Sequence, residues 1–281
     1  SPADAWYRDL NGHILHVFDR TSAEEPFLMG SPLSENGAFW EDRQHNKRIE
    51  RKFAMSSTEV TIEQFAEFLK ANEQFVPFAN LNADPNLPAT KVSWFLIAHY
   101  CNWLSKIHGI RDDEWCFKMY ETGDGAPKIS LAADYLSKLG YRLPTEAEWE
   151  YCCRANSPSA YPFGETTDRL NAFAWYAENS NGRPRNVAQL MPNEFGMFDM
   201  LGNVHEWCME LHEGDLTRER SVINDDHAGQ LQVPRQDFRL IRGGSFNSEA
   251  LSTRSGSREP LHAYKRRHSQ GFRVVRTLEA E

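Results

Sequence analysis

Apolar and polar positions alternate at Ile14, Leu15, His16, Val17 and Phe18, which predicts a strand. Phe27, Leu28 and Met29 run into Gly30 as a second, and Phe53, Ala54 and Met55 as a third. The period then changes. Ile62, Phe65, Phe68 and Leu69 recur at helical spacing behind Thr61-x-x-Gln64, a capping box, and predict a helix over 61–72. Ser93 opens another over 94–108, with Ile97, Cys101, Leu104 and Ile107 as its apolar stripe and Gly109 as its stop. Thr145-x-x-Glu148 caps a short helix that runs to about Cys153, and Phe238 to Arg242 reads as a late strand. Between these lie polar stretches predicted as loops: 33–50, 76–90, 110–135, most of the chain from Tyr161, 209–238, and 246–270. The class is α+β with much irregular backbone.

One stretch mixes burial and charge. In Gly196 to Trp207, Phe198, Met200, Leu201, Val204 and Trp207 call for a core, while Asp199 and Glu206 call for water or a partner. Two carboxylates in an apolar loop, with free carbonyls around Gly202, suit a hard cation such as calcium, which takes about six to eight oxygens. The same spacing also fits a tight turn carrying two solvated acids, and the rival to a cation at this spot is a salt bridge to one of the nearby arginines.

Composition narrows the classes. The chain has 281 residues, 40% hydrophobic, enough for a sizeable core, and is taken as a single domain over 1–281. A net charge of −9 argues against general nucleic-acid binding. The basic run Lys265, Arg266, Arg267 and His268 is the local exception and reads as a solvated turn. The longest apolar run, Val92 to Leu104, is broken by Ser93, His99 and Asn102 and cannot span a bilayer, so no membrane role is expected. The chain opens at Ser1 without Met, as a C-terminal piece of a longer protein would. Its five cysteines show neither a disulfide framework nor a zinc ribbon.

Six short motifs occur in order: "FLMGS" at 27–31, "TEVTIEQFAEFL" at 58–69, "RLPTEAEWEY" at 142–151, "GNVHEW" at 202–207, "RGGSF" at 242–246 and "GFRVV" at 271–275. Together they resemble the formylglycine-generating enzyme, or sulfatase-modifying-factor, family over residues 14–276. The resemblance implies a C-type-lectin-like fold. It also implies a structural calcium held by Asp199 and Glu206 carboxylates and by Gly202 and Val204 carbonyls. A second calcium near Asn171, Ala172 and Asn179 matches the family pattern only in its first part. The family's enzymes oxidise a substrate cysteine with copper, held by two thiolates shortly after the glycine-glycine-serine turn. Those positions here are Ser248 and Thr253, and hydroxyls do not hold Cu(I), so copper is not expected. The family's usual tryptophan before the glutamate is His205. Disulfides of secreted members lack their second partners here, near Arg258 and at Val274, which points to buried thiols and a reducing, cytoplasmic setting.

These residues lead to a non-catalytic, calcium-stabilised domain that binds a protein or peptide ligand and serves a fused or associated effector. The ligand surface is expected between the two glycine motifs, at Ser245, Phe246, Asn247, Ser248, Arg254, Arg258, Tyr264 and Arg267. A special case is the variable protein of a diversity-generating retroelement, in which this segment is the diversified one. The alternative is an oxidoreductase of the formylglycine-generating type that acts on a protein or small thiol through other residues.

Overall fold

The computed structural model describes residues 5–22, 25–39, 43–73, 75, 83–121, 127–212, 223–224, 231–234 and 237–279. In chain order the strands and helices are β1 (Ala5–Arg8), β2 (Ile14–Asp19), β3 (Phe27–Met29), β4 (His45–Arg48), β5 (Lys52–Ser56), α1 (Ile62–Ala71) and α2 (Trp94–Ile107). They continue with β6 (Phe117–Glu121), β7 (Pro127–Leu131), β8 (Tyr141–Arg142), α3 (Glu146–Arg154), β9 (His205–Leu211) and β10 (Ile223–Asn224). The last are β11 (Phe238–Arg242), β12 (Arg258–His262), β13 (Gln270–Gly271) and β14 (Val275–Thr277).

The first and last strands share one antiparallel sheet, in the order β1-β2-β5-β14-β8. Strand alternation gives that sheet two apolar faces. Leu15, Val17 and Ala54 face a core built with α1 and α2, while Phe18, Phe53 and Met55 face a second core built with α3 and the chain from Tyr161 to Leu201. Both capping boxes close as the sequence predicts: Thr61 with Gln64, and Thr145 with Glu148, each in both directions. The segment between α3 and β9 is irregular apart from a 3-10 turn at Thr167–Ala172, yet it buries Leu170, Tyr176, Phe195, Met197 and Leu201. All five cysteines are buried and unbridged. No helix among the described residues is long and apolar enough to cross a membrane.

Several predicted loops contain strands. Residues 110–135 hold the hairpin β6–β7, in which Met119 pairs with Ile129 and Phe117 with Leu131. The period-two pattern there is short and bounded by polar residues, so it is outweighed in a window reading. β4 lies inside 33–50 and pairs with β3. β9 carries on into 209–211, where Leu211 pairs with Arg239 of β11. β12 lies inside 246–270 and pairs with β11 from Phe238↔His262 to Arg242↔Arg258. The second sheet is thus β12-β11-β9-β13, with β13 parallel to β9. Much of the predicted 76–90 and 209–238 loops lies outside the described residues.

Candidate functional site: an acidic buried turn and the cleft beside it

The turn before β9 is fixed by backbone conformation. Asp199, Gly202 and Asn203 all have positive φ, at 53°, 73° and 50°. At Gly202 a Cβ would lie 2.2 Å from the Trp175 carbonyl oxygen, so glycine is required there. The turn is stitched to its neighbours by Gly202 N–H to Gly243 O (2.8 Å), Asn203 N–H to Trp175 O (2.7 Å) and Phe246 N–H to Asn203 O (2.7 Å). This is how the "GNVHEW" motif holds the glycine-glycine-serine turn in place.

Three carboxylates gather at this turn. Glu206 is buried and accepts from Arg273 Nε at Oε2 (2.6 Å) and from Arg273 Nη2 at Oε1 (2.6 Å). Its Oε2 also accepts from Trp149 Nε1 at 2.8 Å. Asp199 is buried, and its Oδ2 accepts from the Ala188 N–H at 2.7 Å. Glu59, fully buried, accepts from Asn203 Nδ2 at 3.1 Å through Oε1, while its Oε2 has no hydrogen-bond partner. Burial pushes the Asp199 carboxyl up to about 6, with the Glu206 charge adding and the Ala188 N–H and Arg273 opposing. Burial, then the Asp199 and Glu206 charges, hold Glu59 well above the usual carboxylate range.

The residues expected to hold calcium differ in how many of their oxygens are already engaged. Among the described residues no backbone N–H donates to the carbonyl oxygens of Gly202 or Val204, and Asp199 keeps one oxygen open. Glu206 makes the arginine salt bridge that was the rival reading, with Arg273 as its partner. Its Oε2 accepts two hydrogen bonds and is filled, whereas Oε1 accepts one and retains a lone pair. No group of three or more His, Cys, Asp or Glu among the described residues is arranged to hold a metal ion. At the second expected calcium position, Asn171 Oδ1 accepts from Asn179 Nδ2 at 3.3 Å.

Beside the turn opens a cleft of about 420 Å³, lined by the end of β11, Gly243, Gly244, the 248–259 segment, His205, Gly37 and Phe39. Its floor is Arg242, fully buried, which donates to the carbonyls of Gly256 (2.9 Å) and Ser255 (2.9 Å), pairs with Glu150 and lies 5.0 Å over the Trp149 ring. Arg258 lines the wall and is held by Glu146. His205 Nε2 stands 3.9 Å from Glu259 Oε2. Burial pushes this imidazole down to about 4, with Glu259 opposing and Arg267 adding.

The predicted ligand residues divide. Asn247 is exposed, and Ser248 and Arg258 line the cleft. Tyr264 (39% exposed) and the Arg267 side chain (46%) reach solvent on the next turn, outside the cleft. Arg254 lines the cleft although it is only 1% exposed. Ser245 and Phe246 were expected at the ligand surface, and the structure corrects this: they are 0% and 1% exposed and do not line the cleft. Ser245 Oγ bonds Asn247 Oδ1 at 2.6 Å, Phe246 packs against His268, and Arg254 pairs with Glu35 and donates to Ser31 Oγ at 3.0 Å. A polar composition hid their structural use, since an arginine with carboxylate and carbonyl partners can be fully buried. Glu249 and Glu259 line the cleft from within the predicted 246–270 segment, whereas His205 and Phe39 are cleft residues that lie outside it. The histidine in the usual tryptophan position was the available signal for His205.

At the positions of the family's copper thiolates, Ser248 Oγ accepts from the Ser245 N–H at 3.0 Å, and Thr253, buried, donates to the Ala250 carbonyl at 2.8 Å. No cysteine lines the cleft. These residues do not fit a copper ion.

The fold and the ordered motifs define a sulfatase-modifying-factor domain. The chain belongs to that family: the description "Sulfatase-modifying factor enzyme 1-like domain" matches residues 24–278. It is 28% identical over 251 residues to a formylglycine-generating enzyme of Streptomyces coelicolor, covering 78% of this chain and 76% of that one. It is also 30% identical over 149 residues to the serine/threonine-protein kinase pkn1 of Chlamydia pneumoniae, covering 52% of this chain and 23% of the kinase. The match therefore spans less than a quarter of that kinase. Among solved structures it resembles Treponema denticola variable protein 1, with a TM-score of 0.75 and 23% identity over 98% of this chain and 99% of that one, a likeness of fold.

Proposed function

We propose that this chain is a non-catalytic recognition domain whose cleft beside the Gly243–Gly244 turn receives a protein or peptide ligand. The observation that carries it is the pair Ser248 and Thr253. Hydroxyls engaged by Ser245 and Ala250 stand where the copper chemistry needs thiolates, while a cleft lined by Ser248 is present beside them. A scaffold that keeps its cleft and lacks its reactive sulfur can still bind. The likeness to part of a chlamydial kinase supports a domain that serves a fused or associated effector. Five buried thiols without a bridge suit a reducing compartment.

Calcium belongs to the same proposal. Asp199, the Gly202 and Val204 carbonyls and the remaining lone pair of Glu206 Oε1 would hold it. The orphaned Glu59 Oε2 and the raised Asp199 favour a cation, since three buried carboxylates face one guanidinium. When bound, the ion would supply charge compensation and stability to the turn that positions the cleft.

The test is a pull-down with the wild-type chain and with Ser248→Trp, which fills the cleft. A partner retained by the first and lost by the second, at equal melting temperature, is the expected result. Equal retention by both would place ligand recognition elsewhere.

A further inference from the structure

The turn after β12 carries a surface that the cleft does not use. Phe238 of β11 lies opposite His262 of β12, with ring centroids 3.8 Å apart, and His262 stacks on Tyr264 at 5.3 Å and 22°. Phe238 and Tyr264 remain 42% and 39% exposed, so this row of rings faces solvent along the edge strand of the second sheet. Lys265 Nζ lies 5.3 Å over the Tyr264 ring. Arg266 follows it, exposed. A second turn abuts the first, because the Lys91 N–H donates to the Arg267 carbonyl at 3.1 Å and the Trp94 N–H to the Ala263 carbonyl at 3.0 Å. Lys91 is exposed as well, and it holds φ at 58° in a left-handed conformation that a non-glycine residue adopts at a cost.

Among the described residues the charges at this place are one-sided. Arg267 is matched by Glu259 at 3.0 Å, and Arg239 has Asp237 at 4.0 Å. Lys91, Lys265 and Arg266 have no ion-pair partner among the described residues. Three cations without an ion-pair partner among the described residues, on turns next to exposed aromatic rings, stand out on a chain whose net charge is −9. Aromatic anchors within a ring of like charge are the composition of a recognition surface, in which the rings give area and the charges give orientation and encounter rate.

We propose that the Phe238–His262–Tyr264 row with Lys91, Lys265 and Arg266 docks an acidic segment of a partner protein. Charge complementarity sets the sign of the partner. The geometry of the rings separates a peptide from a nucleic acid. Single-stranded nucleic acid needs open ring faces on which bases stack. Here the rings stack on one another and Tyr264 carries Lys265, so the row offers edges and an outer flank, which suit apolar side chains interspersed with carboxylates. The net negative charge of the chain also opposes a polyanion of uniform charge while tolerating a short acidic segment. None of Lys91, Lys265 and Arg266 lines the cleft, so the proposal stands apart from the cleft ligand.

Fluorescence anisotropy of a labelled short peptide, rich in glutamate and containing leucine and tryptophan, tests this with the full chain. Binding is expected at low salt, weakening as salt screens the contact. The double variant Lys265→Glu/Arg266→Glu is expected to lose about tenfold or more in affinity, and Tyr264→Ala about threefold, at unchanged melting temperature. Lys91→Glu, on the other turn, provides an independent second variant and is expected to weaken binding too. Ser248→Trp is expected to bind the peptide as the wild type does, so failure of the cleft proposal and of this one remain distinguishable. The proposal is overturned by absence of peptide binding, by charge-reversed variants that bind unchanged, or by an oligothymidylate that binds more tightly than the peptide.

Discussion

Glu206 and Arg273 close on each other through two parallel hydrogen bonds of 2.6 Å, both side chains buried. One comes from the start of β9 and the other from the segment joining β13 to β14. Arg273 Nη2 also donates to the Phe198 carbonyl and Nη1 to the Ser56 carbonyl, each at 3.0 Å. A single guanidinium thus ties together the acidic turn, the two larger sheets and the "GFRVV" motif. Removing one partner of such a pair leaves the other buried and uncompensated. Arg273→Met is expected to lower stability by about 3–5 kcal/mol. The double variant Glu206→Leu/Arg273→Met should recover part of that loss. Urea denaturation of the two checks it, and a single variant as stable as the wild type would contradict it.

The acidic turn should respond to cations and to pH together. Asp199 has a folded pKa near 6, above its ordinary 3.8. The folded state therefore holds the proton more tightly than the unfolded one. In chelator, the stability contributed by this group is full below about pH 3.8 and is lost as pH rises towards 6. A bound cation removes that loss. Calcium is expected to raise the melting temperature more at about pH 7 than at about pH 4, by an amount equivalent to about 2.7 kcal/mol at a hundredfold excess over its dissociation constant. Asp199→Ala should start from a lower melting temperature and show no calcium response. A wild-type melting temperature indifferent to calcium and chelator at neutral pH would show that Arg273 alone compensates the turn.

Two histidines impose the opposite slope. His13 is pushed down to about 4 by burial, against Asp9, with His108 adding to the fall, and its Nε2 shares a hydrogen bond with the Tyr100 hydroxyl at 2.8 Å. His205 is likewise pushed down to about 4, chiefly by burial. The unfolded chain takes up these protons near pH 6.5, before the fold does. Their contribution is intact above about pH 6.5 and is lost as pH falls towards 4, with no further loss below. His13→Gln is expected to flatten stability against pH in that window, relative to the wild type. Urea midpoints across the window measure it, and superimposable slopes would contradict it.

What the sequence disclosed follows from how local each signal is. α1, α2 and α3 were legible because their caps and apolar stripes lie within one or two turns of chain, as at Thr61, Ser93 and Thr145. β6 and β7 were not, because each is short and is defined by its partner across the hairpin. The acidic turn was visible as a conflict between Asp199 or Glu206 and their apolar neighbours, but its third carboxylate was not. Glu59 lies 144 residues from Asn203, its hydrogen-bond partner, and nothing local announces it. Arg254 and Phe246 looked like surface residues because composition does not reveal that Glu35, 219 positions away, buries the arginine.

The proposed lack of copper chemistry is the central claim, and mass spectrometry of a cysteine-containing sulfatase peptide tests it most directly. The peptide is incubated with the chain, copper, a reductant and oxygen. The cysteine is expected to remain unconverted, because Ser248 and Thr253 offer only hydroxyls. Catalytic conversion of that cysteine to an aldehyde, abolished by Ser248→Ala, would contradict the account.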